Sequence, residues 1–216
     1  MSNELLIRNM SRSEVNDLVD WAAAEGWNPG LHDADLFWTT DPGAFIAADL
    51  DGELIGGGAI TSYGGEFGFM GFFIVRPEYR GRGLGNSIWH ARRDRLIGRL
   101  DPGASIGMDG VFTMQDYYAR GGFVFSHRNL RFHTEVPLRM TSSRLHDDHI
   151  APLAAVPFDR VLEYDRICFP ASRPVFLKEW LAQDDALALG CARMYLGPPP
   201  ALAHERVFGI TTFELG

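Results

Sequence analysis

The sequence predicts an α/β fold, an α+β arrangement around one mixed sheet, and two observations carry the prediction. "AFIAADLDGELIGGGAITSY" reads as two strands joined by an Asp-Gly turn, the chemistry of an antiparallel hairpin. "EFGFMGFFIV" is apolar on both faces, as a central buried strand should be, and the helix-like "NSIWHARRDRLI" separates it from the strand-like "SIGMDGVF". A helix between two such strands makes a βαβ unit, so part of the sheet is expected to be parallel.

The other elements follow in order. "ELLIRNM" is a short strand. In "SRSEVNDLVDWAAAEGW", Ser11 and Glu14 form a capping-box pattern. Val15, Leu18, Val19, Ala22 and Ala23 then recur at helical spacing up to a stop at Gly26. "NPGLHDADLFWTTDPG" is polar and turn-rich yet carries Phe37 and Trp38 just after Trp27, so it reads as a loop whose aromatics cover a pocket or the core edge. On the helix in "NSIWHARRDRLI", Ile88, Ala91 and Leu96 form the apolar side. Arg92, Arg93, Arg95 and Arg99 read as a solvated face. "MQDYYARGG" is a short helix and "FVFSHRNLRFHTEV" a long strand. Residues 139–157, rich in Pro, Ser, His and Asp, read as a linker. It divides a main domain, 1–138, from a small accessory α/β region, 158–216. That region holds two helix-like segments, "FDRVLEYDRI" and "PVFLKEWLAQ", and two strand-like ones, "ALALGCARMYLG" and "RVFGITTFEL". It is too short for an independent core of normal size, so it is expected to pack on the main domain or on a second subunit, with a homodimer as one outcome.

Composition narrows the function. The chain has 216 residues, 46% hydrophobic and 22% charged, with a formal net charge of −8. That balance argues against general affinity for nucleic acid or an anionic membrane. Cys168 and Cys191 have no metal-ligand spacing and read as free thiols of a cytoplasmic protein. No signal-peptide pattern opens the chain, and no apolar run is long enough to span a membrane. In "HDDH", His146 and His149 lack a third ligand, so no metal is expected.

The chemistry concentrates in "FFIVRPEYRGRGLG", where a strand passes through a glycine- and arginine-rich turn into a helix. Such a turn presents several backbone N–H groups in one concavity, and the helix N-terminus adds partial positive charge. It is an anion nest. The GxxxxGK of a P-loop is absent, as is the GxGxxG of a dinucleotide site.

Arg80, Gly83 and Gly85 in "RPEYRGRGLG" resemble the (Arg/Gln)-x-x-Gly-x-(Gly/Ala) turn of the GNAT acetyltransferase superfamily. "YYARGGF" resembles that superfamily's Tyr-x-x-x-Gly-Phe segment, with Tyr118, Gly122 and Phe123 in register. The likeness covers about residues 5–136. "MDGVFTMQDYYARGGFVFSHRNLRF" and "EYDRICFPASRPVFLKEWL" look like a bacterial subgroup with a second, smaller GNAT-like region, here shortened. The resemblance implies the GNAT acyl-CoA N-acyltransferase fold with a small C-terminal extension, and acetyl-CoA as co-substrate. The pantetheine arm would lie along Phe73, Ile74 and Val75. The pyrophosphate would sit on the N–H groups of Arg80, Gly81, Arg82, Gly83, Leu84 and Gly85.

Acetyl transfer to an amine needs a neutral nucleophile, a polarised thioester carbonyl and a protonated leaving thiol. Tyr118 is the candidate acid. Glu66, just before the central strand, is the candidate base, with Asp109 as the alternative. Asp33 and Asp35, in the aromatic loop, hint at a small cationic amine as acceptor, although a solvated loop is the plainer reading. One arginine of the helix is a candidate for the CoA 3′-phosphate. The expected function is therefore a cytoplasmic N-acetyltransferase acting by direct attack on a small primary amine. A non-catalytic acyl-CoA-binding regulator is the rival. A structural protein whose turn holds another anion is a second.

Overall fold

Residues 4–129, 155–183, 191–198 and 200–201 are described by a computed structural model of the protein. The elements run β1 (Leu5–Asn9), α1 (Arg12–Ala24), α2 (Asp33–Thr40), β2 (Phe45–Leu50), β3 (Glu53–Tyr63), β4 (Phe67–Val75) and α3 (Leu84–Ile97). They continue as β5 (Ser105–Gly110), α4 (Gln115–Arg120), β6 (Val124–Asn129), α5 (Phe158–Cys168), α6 (Pro174–Leu181) and β7 (Cys191–Leu196).

The strands form one sheet in the order β1-β2-β3-β4-β5-β7-β6. The β2–β3 hairpin turns at Asp51 and Gly52, both at positive φ, 54° and 88°. That geometry is why Asp-Gly marks the turn. β4 and β5 pair in parallel, joined through α3, whereas the other described pairs are antiparallel. The expected mixed sheet with a parallel βαβ unit is therefore present.

Alternate residues of the strands feed two cores. Phe45, Ala47, Ala59, Phe67 and Phe69 pack with Val15, Leu18 and Ala22 of α1 and Leu36 and Phe37 of α2. Ile46, Ile60, Met70, Ile106 and Met108 pack with Trp89 and Leu96 of α3 and Tyr118 of α4. Helix α1 begins with the expected capping box: the Ser11 hydroxyl accepts from the Glu14 amide, and the Glu14 carboxylate accepts from the Ser11 amide at 2.7 Å.

One expectation changes. The segment read as an aromatic loop contains α2, because Leu36 and Phe37 are buried and Phe37 stacks on Phe176 of α6 at 5.6 Å. Tertiary burial there outweighs a polar local composition. The region read as accessory packs on the main body, one of the two placements expected of it, and also lends the sheet a strand. β7 lies between β5 and β6, and Phe169, Ala171, Phe176 and Leu177 enter the core beside α1 and α2. The apolar stripe of so short a region finds its partner in the larger unit. The linker up to residue 154, the "HDDH" histidines and the last strand-like segment fall outside the described residues. Cys168 is a free thiol. Among the described residues, no helix is long and apolar enough to cross a membrane.

Candidate active site where two parallel strands part

β4 and β5 are paired only from Phe67↔Ser105 to Met70↔Met108; beyond that they diverge. The divergence coincides with a bulge on the other side of β4. Gly57 pairs with Ile74 and Ala59 with Gly71, so Phe72 and Phe73 together oppose Gly58. Phe72 adopts a positive φ of 48°, uncommon for so bulky a side chain. Bulges of this kind commonly lie next to active sites, where they re-aim a strand.

Two adjoining cavities, which share Trp27, Phe73, Val111 and Tyr118 in their linings, occupy the wedge. An outer groove of about 560 Å³ is bordered by Phe73, Ile74, Val75, Arg80, Gly81 and Gly85 on one side. Val111, Thr113, Met114, Tyr117 and Tyr118 face them, and Trp27 and Glu25 close the rim. Deeper in the wedge, an inner cavity of about 50 Å³ is lined by Met70, Gly71, Phe72, Phe73, Trp89, Arg92, Met108, Asp109 and Tyr118, again with Trp27.

The turn into α3 closes one end of the groove. Gly81 and Gly83 have φ of 72° and 79°, which glycine adopts without strain. Among the described residues, the amides of Gly81, Arg82, Gly83, Leu84 and Gly85 donate to no backbone carbonyl. Unspent donors at a helix N-terminus suit an anion such as a pyrophosphate. Arg82, Gly83 and Leu84 belong to this turn without lining the groove itself. The Arg80 side chain holds the turn in place: its Nε donates to the Val75 carbonyl at 2.7 Å and its far end pairs with Glu25.

Tyr118 is 6% exposed and borders both cavities. Trp89 fixes it, with ring centroids 5.0 Å apart, and Trp89 also packs on Phe73 and Phe123. Burial raises the pKa of the neighbouring Tyr117 phenol, which donates to Asn86 at 3.3 Å. Asp109 reaches the inner cavity from the end of β5, where its Oδ1 accepts from Asn129 at 3.4 Å.

Glu66 is not brought to this site. It precedes β4 at the opposite end of the strand, half-exposed, and pairs with Arg166 at 2.9 Å. Eight residues of strand separate it from Ile74, roughly 25 Å. The loop acids are also engaged elsewhere. Asp33 accepts from the Gly30 amide at 2.9 Å, and burial raises its pKa; Asp35 pairs with Arg12. Of the aromatics in that stretch, Trp27 turns to the site, whereas Phe37 and Trp38 serve the core.

The arginines of α3 depart most from expectation. Arg92 is 0% exposed, not solvated. Its Nη2 donates to the carbonyls of Ala59 at 2.7 Å and Gly71 at 2.6 Å, and its guanidinium lies 5.0 Å from the Phe73 ring. Burial pulls its pKa down to about 9, which still leaves it a cation at neutral pH. Arg99 is a bidentate partner of Asp41, Arg93 pairs with Asp94, and Arg95 donates to Asn9. Sequence reasoning missed Trp89, Asn86 and Met114. It also misplaced Arg92, although that residue stands one helical turn from both Ile88 and Leu96.

Comparison with known proteins agrees with this geometry. The model of the acetyltransferase (GNAT) family matches residues 12–120. The chain belongs to that family. It is 26% identical over 172 residues to a holothin acyltransferase of Pseudoalteromonas, covering 80% of this chain and 55% of that one. The chain thus spans about half the length of that relative. An acetyltransferase of Photorhabdus laumondii is 33% identical over 100 residues, 44% of this chain and 69% of its own. Among solved structures, a candidate acetyltransferase from Pyrococcus horikoshii superposes with a TM-score of 0.79 at 16% identity, covering 100% of this chain and 97% of that one. N-acetylglutamate synthase of Neisseria gonorrhoeae, solved with coenzyme A and N-acetyl-glutamate, superposes at 0.51 and 14% identity over 91% of this chain and 36% of that one. These two likenesses establish the fold, the GNAT mixed sheet.

Proposed function

We propose that this GNAT protein transfers an acetyl group from acetyl-CoA to a primary amine of a small molecule, the amine attacking the thioester directly. One observation carries the reading: two adjoining cavities set an anion nest at residues 81–85, the open edge of residues 73–75 and an inner cavity lined by Tyr118 and Asp109 side by side. Acetyl-CoA, when bound, supplies an activated acyl thioester. The nest amides hold its pyrophosphate, and the free edge of β4 receives its pantetheine amides as an added strand would. That a protein of the same fold, N-acetylglutamate synthase of Neisseria gonorrhoeae, was solved with coenzyme A supports the choice of co-substrate.

The residues divide the proton work. Asp109, at the end of β5, accepts the proton of the attacking amine, directly or through water. N–H groups of the bulged β4 segment polarise the thioester carbonyl. Tyr118 returns a proton to the departing sulfur, a role open to a phenol at neutral pH. Trp89 and Trp27 exclude water from the inner cavity. Glu66, at the far end of β4, has no part in this scheme.

Thiol release from acetyl-CoA across a panel of primary amines tests the proposal. Turnover with at least one amine is expected. Acetyl-CoA binding without turnover on any amine would favour the non-catalytic regulator.

A further inference from the structure

Arg92 presents donors that the fold does not use. Its Nη2 anchors the β4 bulge through Ala59 and Gly71, but its Nε and Nη1 have no hydrogen-bond partner. Among the described residues, it forms no ion pair. A fully buried cation with unmet donors is costly, and removing an anionic partner from such a group is among the more damaging changes a protein can suffer. A guanidinium is also the side chain whose planar fork matches a carboxylate. The bulge anchor accounts for one nitrogen and leaves the others unexplained.

The surroundings say where an anion would go. Arg92 lines the inner cavity together with Gly71, Phe72, Tyr118 and, on the β5 wall, Asp109. Its position is built in: a Cβ on Gly58 would lie 2.4 Å from Arg92 Cζ, so β3 leaves that space for the guanidinium. The cavity holds about 50 Å³, and since one water needs about 10–15 Å³ of such space, a carboxylate-sized group fits.

We propose that the inner cavity is a carboxylate site, with Arg92 receiving a carboxylate carried by one of the two reactants that meet there. This rests on the acetyltransferase reading of the groove. Two reactants have the chemistry: an acceptor bearing its own α-carboxylate, or a donor whose acyl chain ends in a second carboxylate. Asp109 in the same cavity favours the first, because an amino acid presents an ammonium to Asp109 and a carboxylate to Arg92. The loop acids that hinted at a purely cationic acceptor are spent on Gly30 and Arg12.

Two arms of one experiment separate the sources. Calorimetry compares the Kd of CoA, acetyl-CoA, malonyl-CoA and succinyl-CoA. Thiol release from acetyl-CoA compares amine pairs differing only by the carboxylate: phenylalanine with phenethylamine, leucine with isoamylamine, lysine with cadaverine. A preference of about tenfold or more for the carboxylate-bearing member is expected in one arm, the worth of a charge-assisted hydrogen bond. Arg92→Met should abolish that preference, and Arg92→Lys should retain part of it. Because Arg92→Met also removes an anchor of the bulge, its fold is checked by circular dichroism, and the wild-type preference stands as evidence without it. No carboxylate preference in either arm, absent turnover on both members of every pair included, overturns the proposal; turnover on either member of a pair without that preference leaves the acetyltransferase reading standing. A preference that persists in folded Arg92→Met overturns it equally. Failure of CoA itself to bind overturns the acetyltransferase reading and this proposal with it.

Discussion

Tyr118 and Asp109 approach the inner cavity from different elements, and each has a distinct expected phenotype. Tyr118→Phe should lower kcat about 100-fold or more, the range of general acid catalysis, with the Kd for acetyl-CoA unchanged. Asp109→Asn should reduce kcat far more than Glu66→Gln, whose carboxylate pairs with the half-exposed Arg166 away from the groove; steady-state kinetics on a responsive amine decides between them. Gly58→Ala drives a Cβ to 2.4 Å from the Arg92 guanidinium and is expected to destabilise the fold by about 1–3 kcal/mol, the scale of overpacking, read by urea titration. The positions of Tyr118 and of the nest glycines at the groove were legible because their spacing follows a family pattern. Which of Glu66 and Asp109 lies at the groove was not, because both sit at strand ends. Parallel strands part at their carboxyl ends here, which admits Asp109, at the end of β5, and excludes Glu66, ahead of β4. Arg92 was misread for its charge, although Ile88, Arg92 and Leu96 recur at helical spacing on one buried face.

Helix α1 shows how far local chemistry carries an element. Ser11 and Glu14 cap it as their spacing predicts, and Arg8 extends the cap by donating to both Glu14 and Asp49. Ser11→Ala should cost about 1 kcal/mol, the usual worth of a cap. Donation from Arg8 holds the Glu14 carboxyl down at about 2, against an ordinary value of 4.5. The folded state therefore binds this proton less readily than the unfolded chain. The stabilisation is complete above pH 4.5 and fades as pH falls through that value toward 2. Glu14→Gln should lower Tm at neutral pH and flatten its decline across that acid window. Helix α2 marks the limit of such reading. Its sequence, "DADLFWTT", is short and polar at both ends, and its helicity comes from burying Leu36 and Phe37 against α1 and α6. A partner so distant in the chain leaves no local trace.

At the scale of the molecule, the segments after residue 154 share the cores of the rest. Phe176 is 0% exposed against Phe37 of α2, and β7 lies between β5 and β6. A chain ended at residue 138 is expected not to fold, since β5 and β6 would lose the strand that joins them. Phe176→Ala should destabilise the whole by about 3–5 kcal/mol in a single transition, measured by denaturant unfolding. The strands, their hairpin and the parallel βαβ unit were legible from periodicity and turn chemistry. The place of β7 was not, because antiparallel pairing across a long separation depends on which edge stays open, not on the strand's own residues. The same sheet order opens the wedge that the proposed function needs. Calorimetric titration of acetyl-CoA into the intact protein, beside Gly83→Asp, tests that wedge most directly. Gly83 sits at φ 79° in the nest, and an aspartate there sets a negative charge against the pyrophosphate. Micromolar binding that is lost in a folded Gly83→Asp variant is the expected result; no binding by the folded wild-type protein would contradict it.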